Sequence, residues 1–169
     1  MIPFFLIFLY MSDEIPYGKW IAFFLFAGAS FTDYLDGHLA RKWNLITNFG
    51  KFMDPLADKL LVCSAFIAFV DLKRLDGWVV IIIIAREFII SGFRLVASDN
   101  GVVIAASYWG KFKTVSQMIL TLLLIADLGG IFKIFEGIFM YIAVILTVVS
   151  LLDYLYKNRA VMMEGSEKK

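Results

Sequence analysis

One cysteine, one histidine and three prolines are all that 169 residues contain of three residue types that commonly shape small folds. The lone thiol, Cys63, cannot close a disulfide within the chain, which excludes a disulfide-built secreted scaffold. It stands in the apolar run from Leu60 to Val70 and reads as a small buried hydrophobe. The lone imidazole, His38, has no second histidine with which to complete a metal site or a nucleophile and base pair. Charge is scarce as well: 18% of residues are charged, and 16 Lys and Arg against 15 Asp and Glu leave +1. A protein that binds nucleic acid through a bulk basic field needs a surplus that neutralises several phosphates, so that class is excluded. What the chain has in abundance is apolar surface, with 61% hydrophobic and 17% aromatic residues, against roughly 45–50% apolar in soluble domains. Water-soluble globules, disordered chains and collagen-like repeats fall away. An all-α, polytopic membrane protein is the class that remains.

A bilayer core asks for about 20 mostly apolar residues per helix. Charged or Gly- and Pro-bearing breaks separate six apolar runs: Ile2 to Met11, Trp20 to Arg41, Thr47 to Leu72, Gly77 to Ser98, Tyr108 to Ala126 and Ile131 to Tyr156. The first is too short to span alone. No basic stretch precedes it and no small-residue cleavage site follows before Asp13-Glu14-Ile15-Pro16, so it reads as the remnant of a first spanning helix rather than a signal peptide, with the N-terminal segment incomplete. The expectation is one membrane domain over residues 1–169, with six transmembrane helices and a polar site facing the cytoplasm. Orientation follows from Lys and Arg in the short loops. Arg41, Lys42, Lys51, Lys111, Lys113, Lys157, Arg159, Lys168 and Lys169 collect on one side, against Lys19, Lys73, Arg74 and Lys133 on the other. With an even number of spans, both termini and the loops near residues 42 and 105 are expected in the cytoplasm. Trp20, Trp43, Trp78 and Trp109 at run ends fit interfacial belts.

Charged groups at membrane depth cost at least ~2.5–3.5 kcal/mol each on insertion scales, so their clusters need partners or a water-filled cavity. Asp33, Asp36 and Arg41 end the second run, Asp54, Asp58 and Lys59 lie in the third, and Arg86, Glu87 and Arg94 interrupt the fourth. On a helix, Asp33 and Asp36 are ~60° apart and Asp54 and Asp58 ~40° apart, so each pair shares a face. Four carboxylates converging in low dielectric would be forced to protonate unless cations sat among them. Oxygen donors without His or Cys favour Mg²⁺, Mn²⁺ or Ca²⁺. Two such ions about 4 Å apart form a clamp for in-line displacement at phosphorus. Gly37, Ala40 and Gly50 accompany the acids, and glycine costs a helix about 0.8–1.0 kcal/mol relative to alanine. Such residues admit close approach, either of a nucleotide or of a second helix packed through small side chains.

Asp33-Tyr34-Leu35-Asp36-Gly37-His38-Leu39-Ala40-Arg41, then eight residues to Gly50, three to Asp54 and three to Asp58, resembles the full signature of the CDP-alcohol phosphatidyltransferase family. The resemblance implies transfer of a phosphatidyl or phospho-alcohol group from a CDP-linked donor to an acceptor hydroxyl, with release of CMP. It implies that Asp33, Asp36 and Asp54 ligate divalent metal, Mg²⁺ or Mn²⁺, and that Asp58 is the catalytic base and also lies close to a metal. Gly37, Ala40 and Gly50 match positions where the cytidine packs, and Arg41 one associated with the nucleotide phosphates. Family members are commonly homodimers, and a homodimer is expected here.

Ala85-Arg86-Glu87-Phe88-Ile89-Ile90-Ser91-Gly92-Phe93-Arg94, Gly110-Lys111-Phe112-Lys113-Thr114 and Asp54-Pro55-Leu56-Ala57-Asp58-Lys59 are similar to stretches of the bacterial phosphatidylglycerophosphate synthases within that family. Those enzymes usually carry a short amphipathic segment before the first span, which this sequence does not show. The expected substrates are therefore CDP-diacylglycerol and glycerol 3-phosphate, in a bacterial cytoplasmic membrane whose lipids surround the chain. The residues agree independently, since Arg86, Arg94, Lys111 and Lys113 offer four cations to an acceptor phosphate that must be desolvated. The plainer alternatives are that Lys111 and Lys113 mark the cytoplasmic boundary, and that Arg86 and Arg94 pair with Glu87 or a lipid headgroup. Asp127, Glu136 and Asp153 read as interfacial. Lys59 either neutralises the acids or snorkels to the surface. Two rivals remain: the same chemistry on inositol phosphate, serine or phosphatidylglycerol, and a divalent-cation transporter, against which stands the confinement of the acids near one membrane face.

Overall fold

The computed structural model describes residues 2–12, 14–42, 48–99 and 107–159, with the side chains of 33, 34, 36–42, 48–58, 96, 98 and 99 outside that description. All regular structure among the described residues is helical, in the order α1 (Ile2–Tyr10), α2 (Gly18–Lys42), α3 (Asn48–Asp71), α4 (Gly77–Asp99), α5 (Tyr108–Ala126) and α6 (Phe132–Lys157). Each helix coincides with one apolar run to within a few residues, and α5 has the boundaries expected from the sequence. The helices end where local chemistry stops them. The α3 terminus is a Schellman turn in which the Lys73 N–H donates to Val70 O (3.0 Å) and the Arg74 N–H to Phe69 O (2.8 Å). Lys73 takes the left-handed position, at φ 56°, that glycine usually fills. At the start of α5, Ser107 Oγ accepts from the Gly110 N–H at 3.2 Å, an N-cap that satisfies one of the four donors a helix start leaves open. Gly129 and Gly130, at φ 69° and 53°, turn the chain between α5 and α6. Gly18 opens α2 where a Cβ would stand 3.1 Å from Ser12 Cα, so the turn from α1 closes tightly onto it.

The chain divides into two compact units. Unit 1 holds residues 1–77 and 121–133: α1, α2, α3 and the C-terminal end of α5. Here α1 packs on α2 and α3, and α2 on α3. Phe5 and Leu9 of α1, four apart, meet Ala22 and Phe26 of α2, also four apart; all four are fully buried, and the Phe5 and Phe26 rings are 5.5 Å apart. Phe66 and Phe69 of α3 complete this core. The Tyr10 hydroxyl donates to the Asp71 carboxylate, joining the ends of α1 and α3. Arg74 ties three connections together: it donates to Leu124 O (3.2 Å) at the end of α5 and to Ser12 Oγ (3.5 Å), and pairs with Asp127 (3.7 Å).

Unit 2 holds residues 78–120 and 134–169, with α4, most of α5 and α6. Its buried apolar side chains include Val79, Ile83, Ile90 and Leu120, yet much of what it buries is polar: Glu87, Lys113, Ser116, Gln117, Thr147 and Ser150. On α6 the buried stripe is Ala143, Thr147, Ser150 and Tyr154, whereas Ile138, Tyr141, Ile145 and Leu152 are exposed. This polarity is inverted relative to a surface helix of a soluble domain, whose apolar stripe faces the core. It is the distribution that lipid favours, because a polar group facing hydrocarbon has no partner.

The expectation of six spanning helices meets the structure only partly. Six helices are present among the described residues, but α6 is the one both long and apolar enough to cross a membrane by length and composition. The 9-residue α1 is too short, as its sequence foretold. The helices α2 to α5 run 19 to 25 residues, but the polar and charged residues set in them, such as Arg86, Glu87 and Arg94 in α4, lower their hydropathy.

Candidate active site

The signature residues lie in unit 1. Asp33, Asp36, Gly37, Ala40 and Arg41 all stand on α2, which continues to Lys42, and Gly50, Asp54 and Asp58 stand on α3. Since both stretches are helical, the i,i+3 spacing of Asp33 and Asp36 and the i,i+4 spacing of Asp54 and Asp58 place each pair on one helix face. The side chains of these eight residues lie outside the described ones. The four aspartates among them are hard oxygen donors by chemistry, which suits Mg²⁺ or Mn²⁺ and not a soft metal. Among the described residues no group of three or more His, Cys, Asp or Glu is placed to hold a metal.

The four cations expected to bind an acceptor phosphate lie in unit 2, where the structure sorts them into three environments. Arg86 and Lys113 converge on one carboxylate. Arg86 Nη1 donates to Glu87 Oε1 at 2.9 Å, and Lys113 Nζ donates to the same oxygen. Glu87 is 9% exposed and Lys113 3%, and Arg86 is half-buried, so two cations meet one carboxylate largely away from water. Arg86 Nε donates to Ser150 Oγ at 3.0 Å; that hydroxyl in turn donates to Thr147 O at 3.0 Å. Gln117 Nε2 donates to Thr147 Oγ1 at 3.3 Å, so α4, α5 and α6 are joined through polar side chains. Gly110 makes room for the guanidinium: a Cβ there would sit 3.4 Å from Arg86 Nη2.

Lys111 is exposed, with its ammonium 5.2 Å from the centroid of the Tyr108 ring. Arg94 lies eight residues beyond Arg86 on α4, ~12 Å along the axis. Its guanidinium carbon is 5.8 Å from the Tyr154 ring centroid, and its Nε is buried without a hydrogen-bond partner among the described residues. The pairing of Arg86 with Glu87, read from the sequence as the plainer alternative, is therefore present. Among the described residues Arg94 makes no such pair.

Ser150 and Tyr154 were not singled out by sequence reasoning. The available signal was their spacing with Thr147, at i, i+3 and i+7 in an otherwise apolar run, which marks an inward stripe on a lipid-facing helix. The acids read as interfacial sit near helix ends as expected: Asp153 pairs with Lys157 at 2.8 Å, and Asp127 with Arg74 at 3.7 Å and Lys133 at 3.9 Å.

Comparison with known proteins agrees with the signature. A family model, CDP-alcohol phosphatidyltransferase, matches residues 1–149. A CDP-diacylglycerol–glycerol-3-phosphate 3-phosphatidyltransferase of Bacillus subtilis is 45% identical over 152 residues, covering 87% of this chain and 78% of that protein. A protein of the same name from Haemophilus influenzae is 39% identical over 171 aligned positions, covering 98% of this chain and 90% of its own length. Another from Rickettsia typhi is 36% identical over 158, covering 91% and 88%.

Proposed function

The chain belongs to the CDP-alcohol phosphatidyltransferase family, and from that premise we propose that it transfers the phosphatidyl group of CDP-diacylglycerol to glycerol 3-phosphate, giving phosphatidylglycerophosphate and CMP. The observation that carries this reading is the near full-length likeness to proteins named for that reaction. The whole chain serves as one catalytic domain, multi-pass in the bacterial cytoplasmic membrane with its site on the cytoplasmic side, and works as a homodimer. Buried polar and outward apolar side chains in unit 2 support the membrane setting.

In this mechanism Asp33, Asp36, Asp54 and Asp58 would hold two divalent ions, Mg²⁺ or Mn²⁺, which when bound would supply positive charge to offset that of the donor pyrophosphate and of CMP. Gly37, Ala40 and Gly50 leave the helix surface open for the cytidine, and Arg41 pairs with the nucleotide phosphate. Asp58 accepts the proton of the primary hydroxyl of glycerol 3-phosphate. The freed oxygen attacks the phosphorus that carries diacylglycerol, and the bond from that phosphorus to the oxygen bridging it to CMP breaks. Direct displacement is favoured because the signature holds no Ser or Cys nucleophile. Arg86, Arg94, Lys111 and Lys113 bind the acceptor phosphate, with Glu87 holding Arg86 and Lys113 in place.

The test is CMP release by the purified protein in detergent with CDP-diacylglycerol and Mg²⁺, comparing glycerol 3-phosphate with inositol phosphate, serine and phosphatidylglycerol. Release with glycerol 3-phosphate alone, stopped by a chelator and restored by Mg²⁺, is the expected result. Release with another acceptor instead overturns the substrate assignment.

A further inference from the structure

Tyr154 is a buried side chain of unit 2 that the mechanism above leaves unused. It is 2% exposed, and its hydroxyl has no hydrogen-bond partner among the described residues. Its ring is fixed from two sides: Arg94 lies over it at 5.8 Å, and Phe93 meets it edge-on at 5.9 Å with an interplanar angle of 88°. The Arg94 Nε beside it is also buried and unsatisfied. Buried donors without partners are rare, and two on adjoining side chains call for a common explanation. The chemistry of the missing partner is restricted. A guanidinium donates and cannot accept, so the partner must accept. Arg94 also makes no ion pair among the described residues; Asp153, next to Tyr154 in sequence, pairs through Oδ1 with Lys157, and its Oδ2 is buried without a hydrogen-bond partner among the described residues. An uncompensated guanidinium on a lipid-embedded helix calls for an anion.

We propose that Tyr154 and Arg94 form an anion site in which the Tyr154 hydroxyl and the Arg94 Nε–H donate to one phosphate group. A tetrahedral phosphate presents several oxygens and accepts from both donors at once, and arginine suits it better than lysine because its donors form a fixed fork. The inference deepens the functional reading and rests on it for the two phosphates on offer, those of glycerol 3-phosphate and of CDP-diacylglycerol. Tyr154 is then a substrate-binding residue, distinguished from a packing aromatic by its hydroxyl alone.

The deciding variant is Tyr154→Phe, which keeps the ring under Arg94 and against Phe93 and removes one oxygen. Steady-state CMP release by the full chain in detergent is measured with each substrate varied in turn, and melting temperature is followed with inorganic phosphate as the probe. A hydrogen bond to a charged group contributes about 1.5–3 kcal/mol, so KM for the substrate whose phosphate is held should rise roughly 10–100-fold in Tyr154→Phe. A rise confined to glycerol 3-phosphate assigns the site to the acceptor; one confined to CDP-diacylglycerol assigns it to the donor. Stabilisation by inorganic phosphate should be weakened in both Tyr154→Phe and Arg94→Gln, while Tyr154→Phe without phosphate melts no lower than the parent. Unchanged KM for both substrates together with undiminished stabilisation by phosphate overturns the site. A parent protein that releases no CMP with glycerol 3-phosphate defeats the functional reading instead, and the phosphate-dependent melting still decides the anion site.

Discussion

Glu87 is the anion on which Arg86 and Lys113 converge. Both donate to its Oε1, and removing it takes a charged partner from each where little water reaches. Breaking a buried pair from one side costs about 3–5 kcal/mol, because the stranded charge keeps its desolvation penalty. Glu87→Ala should therefore lower the melting temperature in detergent sharply, and Glu87→Gln should lower it less, since the amide oxygen still accepts; an unchanged melt in Glu87→Ala would show that this pairing does not contribute. Asp58 is tested differently. General base catalysis is worth about 10²–10⁴-fold, so Asp58→Asn should lose at least that in turnover while CDP-diacylglycerol binding, measured separately, persists. Near-normal turnover rules Asp58 out as the base. At this scale the helical setting of the four acids was legible, because the runs that hold them are continuous helix in α2 and α3. Arg86 with Glu87 was legible as a pair because the two are adjacent on α4. Ser150 was not. A hydroxyl in an apolar run has the same appearance whether it turns back on its own helix, as Thr114 does onto Gly110 O at 3.0 Å, or also accepts from another, as Ser150 does from Arg86.

The helices themselves were the most legible element. Charged and Gly- or Pro-bearing breaks cut the sequence into the runs that became α1 to α6, because a segment that must satisfy its own backbone in lipid has few alternatives to a helix. What the pattern did not disclose is how each helix stops. The Schellman turn after α3 places Lys73 at φ 56°, and a side chain in the left-handed region carries a strain of about 1–2 kcal/mol. Glycine adopts that conformation freely. Lys73→Gly should therefore stabilise the protein by about 1 kcal/mol, net of the extra entropy glycine loses on folding, and leave CMP release unchanged. A lower melting temperature in Lys73→Gly would mean that the lysine side chain makes a contact worth more than the strain. Arg74, the next residue, acts in the opposite sense. By donating to Leu124 O it satisfies one of the carbonyls that the end of α5 leaves open, and it links the α1–α2, α3–α4 and α5–α6 connections.

Polarity and charge asymmetry bear on the molecule as a whole. Unit 2 buries serine, threonine, glutamine, lysine and glutamate while exposing Ile81, Phe88, Ile145 and Leu152, which is unfavourable in water and favourable where the surroundings are hydrocarbon. Lys111 and Lys113 stand in the first turns of α5 and Lys157 and Arg159 at the end of α6, whereas Lys73, Arg74 and Lys133 stand at the end of α3 and the start of α6; the proposed topology puts these two groups on opposite sides. Positive residues are retained in the cytoplasm. The arrangement therefore makes a statement about sidedness that needs no knowledge of the chemistry. With Cys63 replaced by serine, single cysteines introduced at Tyr108 and Asn158 should react with a membrane-impermeant maleimide only in inverted vesicles. Cysteines at Asp76 and Leu128 should react only in intact cells stripped of their outer layers. All four parent positions lie in or beside connections outside the apolar runs, so labelling tests orientation rather than depth. If Asp76 and Tyr108 label from the same side, α4 does not cross the bilayer. If all four label with sides exchanged, the helices span but the basic connections face outward, and a site open to soluble glycerol 3-phosphate in the cytoplasm is excluded.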